Sequence, residues 1–184
     1  MKGTVIAALL VCAFGNAPAA RAAFDIPHCS APFNKLLSDD VYSRYPARVP
    51  EGAITPASPD VRRGKPHLYR TVIREQAAGG PNFAGHYTLI RIGCGAGVVC
   101  PAIADVGTGK VFFPPELEQA EALLVDTGDI GVETLNYRRD SRLLIVVGTT
   151  NEDPKTTGMS YYLWQSGKLR LLRFIPERRL CDRG

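Results

Sequence analysis

Several ingredients of familiar functions are scarce in this chain. After the first two dozen residues, no apolar run approaches the ~20 residues a membrane-spanning helix requires, and the longest one, Val5 to Phe14, is itself too short. A surplus of one charge is also missing: 22 basic residues face 18 acidic ones. Nucleic-acid binding needs a dense basic stripe that releases counterions, and the pairs Arg62-Arg63, Arg138-Arg139 and Arg178-Arg179 are scattered like a solvated surface. No second cysteine pair accompanies Cys94 and Cys100, as a structural zinc site with His86 would demand, and no base is positioned to activate a thiol at Cys94. Ser160 and the threonine pairs Thr149-Thr150 and Thr156-Thr157 lack the glycine flanks of a nucleophile elbow. These absences leave no catalytic residue, no metal and no cofactor to be expected.

What is present begins with an export signal. Lys2 precedes the apolar run, Gly15-Asn16 and Pro18 break it, and the small-residue stretch Ala19-Ala20-Arg21-Ala22 follows. That order predicts a signal peptide over residues 1–22 with Ala23 as the new N-terminus. A lipid anchor on Cys12 fits less well, because Cys12 lies inside the apolar run rather than after it. Cleavage removes Lys2 and Arg21 and no acidic residue, so a surplus of two basic residues remains. A mature chain of about 160 residues suffices for one domain with its own core. A soluble periplasmic or secreted protein is expected.

Four cysteines survive cleavage: Cys29, Cys94, Cys100 and Cys181. In an oxidising compartment they read as two disulfides, with three connectivities open to them. Cys94 and Cys100 flank Gly95-Ala96-Gly97, whereas Cys29 and Cys181 stand near the two ends of the mature chain. We therefore expect 94–100 and 29–181.

Residues 23–66 hold Pro27, Pro32, Pro46, Pro50, Pro56, Pro59 and Pro66, a density that interrupts helices and ladders alike. They read as an irregular arm with one short helical piece from Phe33 to Leu37. Residues 67–184 read as a β-rich domain. Leu68 to Glu75 alternates apolar and charged side chains and predicts a strand, followed by strands over 85–92 and 98–106 and a short one at Val111-Phe112-Phe113. Glycine clusters at 93–97 and 107–109 join them into an antiparallel meander. Pro114-Pro115-Glu116 predicts one helix over 116–124. Strands return at 132–137, 143–147, 161–164 and 169–175, and Leu143-Leu144-Ile145-Val146-Val147 has no polar face, as a strand buried on both sides should. The turns at Gly109-Lys110 and Gly167-Lys168 resemble each other, which suits either two blade-like units or ordinary hairpin chemistry. A full propeller needs about four blades, more than the chain can supply. The fold class expected is mainly β, with antiparallel meander sheets, one short helix and the proline-rich arm.

Gly93-x-Gly95-x-Gly97 superficially has the look of a phosphate loop, yet Val98, Val99 and Pro101 follow instead of the helix that chemistry needs. His86 on its strand, with Asp105, is the one candidate acid–base pair, against the plainer reading of a packed or surface histidine. The polar loop 148–158, with Asn151, Glu152, Asp153 and Lys155, is the candidate binding surface, since long loops on a rigid sheet are where recognition concentrates.

Asn82-Phe83-Ala84-Gly85-His86-Tyr87, Gly93-Cys94-Gly95, Cys100, Asp105, Thr108-Gly109-Lys110-Val111, Pro114 and the segment Tyr137 to Leu143 together resemble a largely uncharacterised family of small exported proteins of Gram-negative bacteria. The resemblance covers about residues 80–175. It implies a periplasmic address and a β fold, and no activity. From these readings the expected function is non-catalytic binding of another macromolecule through surface loops, as an inhibitor or immunity-type partner of a cell-wall-directed enzyme. The alternatives are an envelope hydrolase built on His86 and Asp105, and a purely structural envelope protein. No nucleic acid and no membrane span are expected.

Overall fold

The structure, a computed structural model, describes residues 29–52, 54–123, 125 and 132–181. Residues 1–22, expected as a signal peptide, and Cys12 within them lie outside the described residues. An eight-stranded antiparallel sheet carries the fold. Its strands are β1 (Tyr87–Gly95), β2 (Val98–Asp105), β3 (Val111–Phe112), β4 (Ala120–Ala122), β5 (Leu135–Tyr137), β6 (Leu143–Thr150), β7 (Gly158–Gln165) and β8 (Lys168–Pro176). The path runs β1-β2-β4-β6-β7-β8, with β3 beside β2 and β5 beside β6. The β1–β2 and β7–β8 hairpins are therefore parts of one sheet and not separate blades, because β4 pairs with both β2 and β6 and joins the halves.

Alternation divides the apolar residues among three clusters. Leu89, Ile103, Leu144, Val146, Tyr162 and Trp164 meet in a central core with Phe83 and Leu117. Their neighbours on the opposite face of β6 and β7 (Leu143, Ile145, Val147, Met159, Tyr161) pack under α1 (Phe33–Leu36) and α2 (Asp39–Ser43), through Phe33 and Tyr42. Ile90, Ile92, Ala102 and Ala104 lie under α4 (Arg70–Ala78). β6 is thus covered on both faces, as its unbroken apolar run predicts.

Two expectations fail. The segment expected as a strand over 68–75 is helical: α3 (Gly64–Leu68) and α4, which buries Ile73 and Ala77. Tyr69, Val72, Ile73, Gln76 and Ala77 follow the i, i+3, i+4, i+7, i+8 spacing of a helix face, and that periodicity outweighs the β-branched content. The helix expected over 116–124 is only a 3-10 turn, Pro115–Leu117, followed by strand β4; Leu124 lies outside the described residues. Ladder bonds to β2 and β6 on either side override the weak helical preference of Ala120-Glu121-Ala122.

The exposed edge of β1 is closed by side chains. Asn82 accepts from the Leu89 amide at 2.7 Å and donates to its carbonyl at 3.2 Å. Gln76 on α4 does the same for Arg91, at 2.9 Å in both directions. Two amide side chains thereby take the place of a neighbouring strand, which protects an edge from unwanted pairing.

Both disulfides form as expected, Cys94–Cys100 across the β1–β2 hairpin and Cys29–Cys181 between the beginning of the arm and the end of the sheet. The arm is also sewn to the sheet by backbone bonds: Ala47 N to Asp140 O, Arg142 N to Tyr45 O, Ala57 N to Val106 O and Asp60 N to Gly109 O, all at 2.7–2.8 Å.

Candidate functional site

The arm and the sheet enclose an open depression of about 920 Å³. One wall is the arm segment Ala47 to Glu51; the other elements contribute Ala84, His86 and Tyr87, then Arg142, and finally Trp164, Gln165 and Ser166 from the β7–β8 turn.

The segment Asn82 to Tyr87 shapes the near side. Phe83 and Tyr87 exchange backbone bonds at 2.9 and 3.0 Å, so the three residues between them must reverse the chain. Ala84 and Gly85 do so with φ of 45° and 88°, a conformation that glycine adopts at little cost and alanine does not. Gly85 donates to the Arg139 carbonyl at 2.6 Å. Phe83 is driven into the core and His86 is left at the rim.

Below the rim lies an aromatic cluster. The His86 ring stacks on Tyr87 with centroids 4.2 Å apart. Trp164 meets Tyr87 at 5.3 Å and Phe112 at 5.4 Å, both edge to face, the geometry that ring quadrupoles favour. Burial raises the Tyr87 hydroxyl above its usual pKa; the Asp105 carboxylate adds to the rise, and the nearby Trp164 indole opposes it weakly. Proximity does not amount to a hydrogen bond, since the Trp164 indole N–H is buried with no partner among the described residues.

His86 and Asp105 are neighbours, with Nε2 3.8 Å from Oδ1. That exceeds hydrogen-bond range. The same Asp105 oxygen accepts from the amides of Gly107 at 2.9 Å and Thr108 at 3.2 Å, and so builds the turn before Lys110. No hydrogen bond to the His86 ring is found among the described residues.

Rim charges are mostly positive. Arg142 donates from Nε to the Pro46 carbonyl at 3.1 Å, which holds its guanidinium in place while leaving the terminal nitrogens free to bind. Arg48 is exposed. Among the described residues, Glu51 is the one carboxylate lining the depression.

The candidate loop residues lie elsewhere, none of them in this depression. Asn151 and Glu152 take left-handed conformations, with φ of 53° and 58°. The Asn151 side chain accepts from Glu118 N at 2.8 Å and Gln119 N at 3.3 Å, and donates to Glu116 O at 3.2 Å. Glu152 accepts from the Gln119 side-chain Nε2 at 2.8 Å. Asp153 caps the 3-10 turn Pro154–Thr156 through Lys155 N. Three of the four residues therefore hold the loop's shape, and Lys155 projects outward.

Cys94 and Cys100 are joined to each other and supply no thiolate for zinc. Among the described residues no group of three His, Cys, Asp or Glu side chains is placed to hold a metal ion. The depression itself was missed in sequence because its lining comes from four segments, 47–51, 84–87, 142 and 164–166, that only the sheet brings together. Its sole local signal was His86 beside Tyr87.

No protein-family model, no curated protein and no solved structure matches the chain.

Proposed function

We propose that this is a non-catalytic, exported protein of the bacterial envelope that binds another macromolecule, and that it binds through the depression between the arm and the β7–β8 turn. The observation that carries this reading is the 3.8 Å gap between His86 and an Asp105 oxygen already engaged by two backbone amides. A general acid–base pair works through an oriented partner within hydrogen-bond reach, whereas the held Arg142 guanidinium and the exposed Arg48 beside an aromatic floor suit recognition of a carboxylate-bearing loop. Two disulfides support the oxidising compartment. An inhibitor or immunity-type partner of a cell-wall-directed enzyme fits this surface, because the rim would meet an acidic active-site cleft. The resemblance over about residues 80–175 points to the same compartment.

The test begins with isolating the partner from periplasm and measuring its affinity for wild type and for Arg48→Glu with Ser166→Arg. Loss of at least tenfold with an unchanged unfolding temperature is expected; full affinity in that variant would reject the depression as the binding surface. The hydrolase reading rests on the adjacency of His86 and Asp105. It would be promoted if His86→Gln lowered turnover of cell-wall substrate by about 10² to 10⁴ with the fold intact.

A further inference from the structure

One stretch of the chain is locally rich in positive charge. Residues 61–74 contain Arg62, Arg63, Lys65, Arg70 and Arg74 and no acidic residue, and in the rest of the chain acidic residues outnumber basic ones. These cations run from the two residues before α3 into the first half of α4, which also carries the exposed Glu75 and whose inner side is committed to the sheet through Ile73 and Ala77. All five cations are exposed. Among the described residues, Arg62 alone of the five pairs with a carboxylate, that of Asp60 at 2.8 Å. Lys65 lies over the Phe113 ring at 5.1 Å and Arg70 donates to the His67 carbonyl at 3.3 Å, contacts that orient these side chains without cancelling their charge. Arg70 and Arg74, four residues apart, share one helix face. Lys110 joins Arg62 and Arg63 around a neighbouring depression of about 620 Å³.

Amid these cations stands Leu68, 73% exposed and the most exposed large apolar side chain among the described residues. An exposed leucine gains nothing from water. A polyanion such as nucleic acid would need only the charges, whereas a lipid surface uses both: headgroup phosphates meet the cations and the leucine enters the acyl boundary. We infer that α3–α4 docks this protein peripherally on a membrane surface rich in anionic phospholipid. The inference is independent of the binding depression, which is lined by other residues. No helix among the described residues is long and apolar enough to cross a membrane, so the contact is interfacial and reversible. Removing one cation at such a surface weakens binding by about fivefold.

Flotation of the oxidised protein with vesicles of phosphatidylcholine, with or without phosphatidylglycerol, tests this. Binding is expected only with phosphatidylglycerol, with release at high salt, a loss of more than about tenfold in Arg63→Glu with Arg74→Glu, and a smaller loss in Leu68→Ser. Arg63→Gln with Lys65→Gln provides a milder pair if charge reversal disturbs thermal unfolding. In Leu68→Trp the added indole should shift its emission to the blue on vesicle binding, since Trp164 is already buried. Absence of binding to phosphatidylglycerol vesicles would overturn the inference. So would equal binding of heparin with no emission shift in Leu68→Trp, which would assign the patch to polyanions instead.

Discussion

The carbonyl oxygen of Arg48 occupies the space where a side-chain carbon on Gly85 would stand. This close approach lets the arm lie directly on the chain reversal that presents His86, and it builds one wall of the depression from backbone. A second contact of the same kind joins Ser58 to Gly109, whose Cβ position falls on the Ser58 carbonyl. The glycines in Phe83-Ala84-Gly85 and Thr108-Gly109-Lys110 thus serve both turn conformation and arm docking.

Gly85→Ala should cost more than a left-handed alanine alone, because the arm must also move. A loss of at least about 2 kcal/mol is expected in urea unfolding. Gly97→Ala is the control: its φ is +71° but nothing lies within 4 Å of the added carbon, so about 1 kcal/mol is expected. Equal losses at the two positions would show that arm contact contributes nothing.

The disulfides should differ in worth. Cys29–Cys181 closes a separation of 152 residues and Cys94–Cys100 one of 6. The chain-entropy relation gives about 5 kcal/mol for the long closure and about 2 kcal/mol for the short. Denaturant unfolding of the paired Cys→Ser variants measures both, with the ordering as the decisive result.

Asn151→Ala should destabilise the fold by about 1–3 kcal/mol, since it leaves the amides of Glu118 and Gln119 without their acceptor and places alanine at positive φ. Lys155→Ala should stay within about 0.5 kcal/mol of wild type. Thermal unfolding distinguishes them. A loss of function in Asn151→Ala alone would therefore report on the loop's shape before it reported on recognition.

Alkaline pH should weaken the protein through its tyrosines. Tyr42 is pushed up to about 12 from 10.0, first by burial, with the Arg138 guanidinium opposing and Tyr161 reinforcing. Burial also raises Tyr87, Tyr137 and Tyr161. The folded state holds these protons more tightly than the unfolded chain, so their contribution is complete below pH 10 and is lost as the pH climbs toward about 12. Urea midpoints at pH 9 and 11 should show the decline, and Tyr42→Phe should flatten it; an unchanged slope in that variant would remove Tyr42 as a cause.

Much of the sheet was legible in the chain because β structure leaves short-range marks. The strand-forming residues from Tyr87 to Ile92 and the glycines at 95, 97 and 167 identify hairpins with little help from distant residues, and the apolar run 143–147 announces a strand covered on both faces. The spacing of the four cysteines carried their pairing. At 68–75 the helical periodicity was also present, but it becomes evident only when Gln76 and Ala77 are included. Ala120 to Ala122 carried no such mark: three residues have almost no preference of their own, and the unfilled ladder between β2 and β6 decided their conformation. The depression depended on tertiary structure in the same way. Arg48, Tyr87, Arg142 and Trp164 are far apart in the chain, and their meeting is set by strand register, by backbone packing of Arg48 on Gly85, and by which face of β7 turns toward the core. Local sequence encodes periodicity and turn chemistry, whereas a site assembled from distant segments exists only once long-range pairing has selected one register among many.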